Sequence, residues 1–462
     1  MAASGKDHVS RRRTAAGISL VFASISGILS AAASHNPTLD VHDPFEVIAE
    51  VRRLESSPLW PGFDPAAIPF GLFDGERTYL VDFPGLPEGF VPVTGRPGIL
   101  DRKGRHPSIL GNTCVQIENV WLASSIPVRR SDFTGKEISL AESAAVIIHE
   151  KFHVFQAIRH SDWKPNDGVL LTYPLDTPES LDLRGREIEA LRRAVLSFPP
   201  GDAAWARTAE TLRLRRRAGL DDGLVRYERE VRRLEGLAEY VEYRAAGKSA
   251  AGEPFPPGFA PKAVRESAYP AGRWTAVLLD RFVPGWQEDI EAGRARYPED
   301  ILNEFLKDRT GEASFTDEES AACSDRARAA MAEKEAERKA VLKSLNEMSG
   351  SSIVIDARRL PLRFESFEPF SIDTVAPNIL VHKQGFILRN GNGFIHLFGS
   401  PALTEMDSRG RVIRVLIPGL ARRVRFRPGQ RALVYRTEDL HLDLNPVRIR
   451  SQGNIRYNLE LR

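Results

Sequence analysis

Cysteine is scarce: only Cys114 and Cys323 occur in a chain of 462 residues. Two thiols cannot build a disulfide scaffold or a cysteine-rich metal cluster, and neither stands in a C-x-x-C pair. An excess of one charge is missing too, with 64 Lys and Arg against 62 Asp and Glu. That balance excludes an acidic or basic tail protein and gives no electrostatic case for nucleic acid as a partner. Glycine (35) and proline (31) are near average, so no fibrous or low-complexity class applies. Long apolar runs do not recur, which excludes a polytopic membrane protein. The chain also lacks a G-x-S-x-G elbow, a P-loop and a G-x-G-x-x-G fingerprint. What remains is 42% hydrophobic and 27% charged, the composition of a globular protein of roughly two to four domains.

The first segment has the pattern of an address label. Lys6 and Arg11, Arg12 and Arg13 precede an uncharged stretch, Ala15 to Ala33, that ends in three alanines. We read residues 1–33 as a cleaved signal peptide that sends the protein to the periplasm or the exterior. The alternative is an uncleaved single-span anchor. Ser10-Arg11-Arg12-Arg13 hints at twin-arginine routing, without the apolar residues that usually follow it. Cleavage would leave 60 basic against 61 acidic residues, a balance with no attraction for an anionic membrane.

Three sections follow. Residues 34–139 are rich in Pro and Gly, with short apolar runs such as Tyr79-Leu80-Val81, and read as strands and turns. Residues 140–348 read as mostly helical. A charged helix there runs from about Asp317 to Met348, capped by Thr316 with Glu319 three residues on. The basic run Arg213-Leu214-Arg215-Arg216-Arg217 reads as a solvated helix face. Residues 349–462 switch to period two, with hairpin signals at Asn390-Gly391-Asn392-Gly393 and Ser408-Arg409-Gly410. They predict an all-β sandwich or barrel in which Arg423, Arg425 and Arg427 form the wet face of a strand. His382, His396 and His441 read as structural or surface residues of that module. Cys114 and Cys323 either pair or remain buried thiols.

The chemistry lies in His149-Glu150-Lys151-Phe152-His153, flanked by the apolar Val146-Ile147-Ile148 and Val154-Phe155. Histidines four residues apart project from one face of a helix, so both imidazoles can reach one metal ion. A glutamate beside the first histidine is placed to take a proton from a water on that metal. Polar residues of this kind in an apolar helix are costly unless something binds them. A zinc site needs a third protein ligand. The metzincin pattern fails, because Gln156 replaces its glycine and His160 falls one place too late. A glutamate from a second helix fits better. Glu235-Gly236-Leu237-Ala238-Glu239-Tyr240 puts Glu235 and Glu239 four residues apart, with small residues that allow close helix packing.

Together, HEKFH and EGLAEY resemble the gluzincin branch of the HExxH zinc metallopeptidases, the thermolysin-like superfamily. The resemblance covers about residues 140–285 and implies one Zn²⁺ per chain held by His149, His153 and Glu235. It implies that Glu239 hydrogen-bonds His149 and fixes its tautomer. Should Glu235→Ala retain full zinc, Glu239 or Glu228 becomes the candidate third ligand. Tyr269-Pro270-Ala271-Gly272 opens an apolar helix and is similar to the Tyr-x-x-Gly of gluzincin aminopeptidases. By that likeness Tyr269 steadies the oxyanion, although Tyr240 or Tyr243 could serve. The stretch between His153 and Glu235 reads as an inserted helical hairpin.

The expected fold is α+β: a zincin-like catalytic domain with a largely helical half and a mixed sheet, then a C-terminal all-β module. The expected function is an exported zinc peptidase acting on peptide or protein substrates, with Glu150 as general base. The competing expectation is an exported binding or surface protein with a structural or inactive zinc site and a partner-binding β module. The sequence leaves the oligomeric state and the cleavage specificity open.

Overall fold

The computed structural model describes residues 39–109, 111–130, 135–247, 264–348, 350–367, 371–420, 432–437, 440–452 and 456–461. The leader at 1–33, the arginines at 423, 425 and 427 and the Pro/Gly-rich stretch at 252–261 lie outside them. Among the described residues, no helix is long and apolar enough to cross a membrane. The fold is α+β.

The N-terminal section differs from the reading of strands and turns alone, because it begins with helix α1 (Pro44–Leu54). Asp43 caps that helix by accepting from the amides of Phe45 and Glu46, and Pro44 presets its first turn. Six strands follow: β1 (Phe70–Phe73), β2 (Arg77–Val81), β3 (Val91–Pro92), β4 (Ile99–Lys103), β5 (Thr113–Ile117) and β6 (Val120–Ser125). They form one mixed sheet in the order β3-β4-β2-β1-β6-β5, with β1 parallel to β6 and antiparallel to β2. Strand β5 is therefore an edge.

Helix α2 (Leu140–Arg159) packs against β5 and β6. It starts at a full capping box, with Ser139 and Glu142 satisfying each other's backbone amides. Phe152 and Phe155 on α2 meet Phe63, and Trp60 packs edge-on against Phe152, Tyr240 and Trp286. Such pairs contribute about 0.5–1.5 kcal/mol each beyond their burial, so the motif helix rests on a stiff aromatic floor.

The remaining helices are α3 (Pro178–Leu196), α4 (Gly201–Arg217), α5 (Asp222–Ala245), α6 (Val264–Phe282), α7 (Trp286–Glu291), α8 (Pro298–Leu306) and α9 (Asp317–Glu347). Helix α9 begins at the Thr316/Glu319 capping box. Helices α5 and α6 cross where Gly236 meets Gly272. A Cβ on Gly236 would lie 2.5 Å from the Gly272 Cα, backbone against backbone, so neither glycine can be enlarged without separating the helices.

The basic run on α4 is not a solvated face. Arg213, Arg216 and Arg217 are buried, while Arg215 faces water. Arg216 and Arg217 reach Glu228 on α5 at 2.5 and 2.9 Å, and Arg217 reaches Glu299 on α8 at 3.0 Å. Arg232 of α5 reaches Glu187 of α3 at 2.7 Å. A charge pattern alone cannot distinguish a wet helix face from one whose counter-charges arrive on other helices, and here three such helices supply glutamates.

Twelve strands follow among the described residues of the C-terminal part: β7 (Ser351–Asp356), β8 (Arg363–Phe367), β9 (Ile372–Ala376), β10 (Ile379–His382), β11 (Gly385–Asn390), β12 (Gly393–Phe398), β13 (Ala402–Met406), β14 (Val412–Leu420), β15 (Leu433–Arg436), β16 (Leu440–Leu444), β17 (Val447–Gln452) and β18 (Arg456–Leu461). One sheet runs β17-β18-β7-β14-β13-β10-β9 and the other β15-β16-β12-β11-β8. Ile353, Leu380 and Val415 of the first share one apolar core with Leu388, Ile395 and Leu442 of the second. The β11–β12 turn falls at Asn390–Gly393 and the β13–β14 turn at Ser408–Gly410, where the sequence placed them. His382 is fully buried and bonds the Thr404 hydroxyl at 2.9 Å, whereas His396 is exposed.

Candidate metal centre

The α2 spacing puts His149 and His153 on one face, and α5 brings Glu235 to meet them. One ligand-capable atom from each lies within 4.8 Å of the other two, and all three residues are buried. His149 Nε2 and His153 Nε2 stand 3.1 Å apart, and Glu235 Oε2 lies 3.2 Å from His153 Nε2.

The far side of each ring is already committed. His149 Nδ1 meets Glu242 Oε2 at 3.0 Å, and His153 Nδ1 meets Gln156 Oε1 at 2.7 Å. The Gln156 amide is anchored in turn to the Leu234 carbonyl at 3.0 Å. With acceptors on both Nδ1 atoms, the neutral rings carry their protons there and turn their Nε2 lone pairs toward each other.

Glu239 does not play the part assigned to it. It pairs with Arg273 at 3.0 Å, and Glu242 takes its place on His149. The geometry of α5 explains this. At about 100° per residue, position 239 is rotated roughly 40° from Glu235, whereas position 242 returns to within roughly 20° of it.

Glu235 divides its carboxylate between two tasks. Oε1 takes a 2.5 Å ion pair from Arg265 at the start of α6, while buried Oε2 has no hydrogen-bond partner. Burial by itself would raise the pKa of Glu235. Arg265 and then His153 outweigh it and hold the group well below the usual carboxylate range. Burial likewise opposes charging of His149, but the hydrogen bond to Glu242 and the carboxylates of Glu150, Glu242 and Glu235 raise its pKa to about 9. With both rings neutral, two imidazole nitrogens and a carboxylate oxygen converge in a buried space as acceptors, and below about pH 9 a proton on His149 stands where a cation would. Two imidazoles and a carboxylate are the donor set of a divalent transition metal such as zinc, and the residues present fit it.

Glu150 is buried beside His149, where its carboxylate acts on that ring and on Tyr269. The Tyr269 ring stacks at 6.1 Å and 12° on His149. Burial, then the neighbouring Glu235 carboxylate, hold its phenol well above the ordinary value. Tyr269 lies inside α6 rather than opening it, with Pro270 in the same helix. Tyr240 points elsewhere, donating to Asp280 at 2.8 Å. Glu228 belongs to the Arg216–Arg217 ion pairs, which removes it as a substitute ligand.

Lys151, the charged residue within the motif, turns away from the centre. It donates to Glu55 and to the Pro65 carbonyl and sits 4.6 Å over the Phe70 ring. Cys114 and Cys323 are both free and buried, one on β5 and one on α9. Burial, then the Glu150 carboxylate, push the Cys114 thiol up, which marks it as a neighbour of the centre.

The sequence had not singled out Glu242, Gln156 or Arg265. A heptad spacing from Glu235 could have found Glu242, and the i+3 step from His153 could have found Gln156. Arg265 had no local signal. Comparison with protein-family models, curated proteins and solved structures finds no match for this chain.

Proposed function

We propose that this protein is an exported zinc-dependent peptidase of gluzincin type, with His149, His153 and Glu235 as the metal ligands. The observation that carries this reading is the convergence of two imidazole nitrogens and a carboxylate oxygen, all buried and within 4.8 Å of one another, with a further buried carboxylate on the residue that follows His149. When bound, zinc would supply Lewis acidity toward a water and a substrate carbonyl. Glu150 accepts the proton of the attacking water and hands it to the leaving amine. Tyr269 donates its hydroxyl to the oxygen on which charge develops. Glu242 and Gln156 keep both imidazoles aimed inward throughout.

The competing reading, an exported binding protein with a structural zinc site, draws support from the depth of burial, since each ligand is at most 5% exposed. Glu150 separates the two. A purely structural site does not require a carboxylate there. The test is digestion of a peptide library by purified protein, with a chelator control and Glu150→Gln matched for metal content. The peptidase reading expects chelator-sensitive cleavage that falls about 10²–10⁴-fold in Glu150→Gln. Absence of cleavage by zinc-loaded wild type would favour the binding protein.

A further inference from the structure

Among the described residues Arg265 is the arginine that grips the proposed ligand carboxylate, and it grips a second carboxylate as well. Its Nη2 lies 2.5 Å from Glu235 Oε1 and its Nη1 lies 2.6 Å from Asp167 Oδ1. Asp167 also accepts from the Tyr227 hydroxyl at 3.2 Å. The guanidinium is planar and forked, so anchoring one arm fixes where the other points. With Oε1 of Glu235 held, Oε2 is left turned toward His153.

Asp167 begins a short 3-10 segment, Asp167–Thr172. One side of this strap is held by the helices, where Val169 and Leu170 pack against Tyr227, Val231 and Ala268. Its other side belongs to a different body. Leu171 is buried in the core shared by the two C-terminal sheets, and Thr172 meets the β13–β14 turn at Gly410. A continuous set of contacts thus runs from the β module through Leu171, Asp167 and Arg265 to Glu235.

We propose that Arg265 is a positioning residue for the metal centre, and that the C-terminal β module sets its position through the strap Asp167–Thr172. This assigns the module a task inside the catalytic region, and it rests on the metal reading given above. In the full chain, Arg265 and Asp167 keep Glu235 presenting a single oxygen. Docking of Leu171 keeps Asp167 in place.

The test uses full-length protein and two readouts other than activity: zinc affinity by chelator competition, and the visible absorption of the Co²⁺-loaded protein, which reports ligand geometry. Arg265→Met should weaken zinc about 10–100-fold, the effect expected of an outer partner, and alter the Co²⁺ spectrum. Arg265→Lys, which keeps the charge and loses the fork, should recover part of the loss. Leu171→Ala should act in the same direction but less. Combined with Arg265→Met it should add nothing, because both act through one contact path. Should Arg265→Met fail to fold, Asp167→Asn removes the charge that holds the second arm of Arg265, keeps an acceptor for Tyr227, and must give the same spectral change. Unchanged affinity and spectrum in Arg265→Met, or in Asp167→Asn, overturns the positioning role. Additive losses for Leu171→Ala and Arg265→Met overturn the link to the β module. Failure of wild type to bind either metal is a separate result, which removes the metal reading and this inference with it.

Discussion

The helical part of the molecule buries polar side chains in two places, and they are built on opposite principles. Between α3, α4, α5 and α8, Arg213, Arg216, Arg217 and Arg232 face Glu187, Glu228 and Glu299, so acid and base answer each other across helices. Between α2 and α5, three acceptors face one another. In the first cluster every carboxylate is paired with an arginine, although Glu299 Oε2 and several guanidinium nitrogens have no hydrogen-bond partner. In the second, Arg265 holds the far oxygen of Glu235 and Tyr269 hydrogen-bonds the same carboxylate, Lys151 pairs with Glu55 and Arg273 with Glu239, and on the reading proposed above a cation completes the site. Buried charge alone therefore marks neither function nor stability. The balance of donors and acceptors does.

Substitutions can sharpen this contrast. Glu228→Gln takes from Arg216 its closest carboxylate and leaves Arg217 with Glu299 alone, and we expect about 3 kcal/mol of lost stability in chemical denaturation, with metal binding by the folded protein unchanged. Glu242→Gln should do the reverse. We expect a 10–100-fold loss of zinc affinity, roughly, with a small change in the denaturation midpoint of the metal-free protein. A large stability loss and full zinc affinity in that variant would erase the distinction.

The two clusters should also fail at opposite ends of the pH scale. Glu187, Glu228 and Glu299 are held below the usual range. Burial opposes this, but their arginines prevail. Their contribution is present above the unfolded carboxylate pKa of about 4.3 and is lost as pH falls through the depressed folded values. His149 is raised to about 9 in the metal-free protein. Its contribution is full below the unfolded value of about 6.5 and is lost as pH rises through the folded one. Zinc must displace that proton, so its apparent affinity should climb by about tenfold per pH unit until the pH nears the folded value. Titrations at pH 6, 7 and 8 measure this. The smallest effect expected is that of Glu239→Gln, which leaves zinc affinity within a few-fold because its partner is Arg273.

Much of this was legible in the sequence, for reasons that can be named. The apolar residues around the histidine motif placed α2, the Thr316/Glu319 cap placed α9, and the Asn-Gly turn placed the β11–β12 hairpin, since local chemistry fixes these features. The motif pair also indicated the three residues that converge. What escaped depends on partners distant in the chain. Arg213, Arg216 and Arg217 read as a wet face because Glu187, Glu228 and Glu299 come from three other helices. Glu239 was chosen over Glu242 because a four-residue step suggests one face, whereas a seven-residue step returns closer to the direction of Glu235 and Arg273 engages Glu239. Helix α1 was missed despite its Asp-Pro start, because the Pro- and Gly-rich surroundings read as turns.

The most direct measurement is calorimetric titration of metal-free, full-length protein with Zn²⁺, alongside His153→Ala and Glu235→Gln. We expect one site per chain in wild type and a severe loss of affinity in both variants. Wild type that takes up no zinc, or a Glu235→Gln protein that binds as tightly as wild type, would contradict the assignment of these three acceptors as a metal centre.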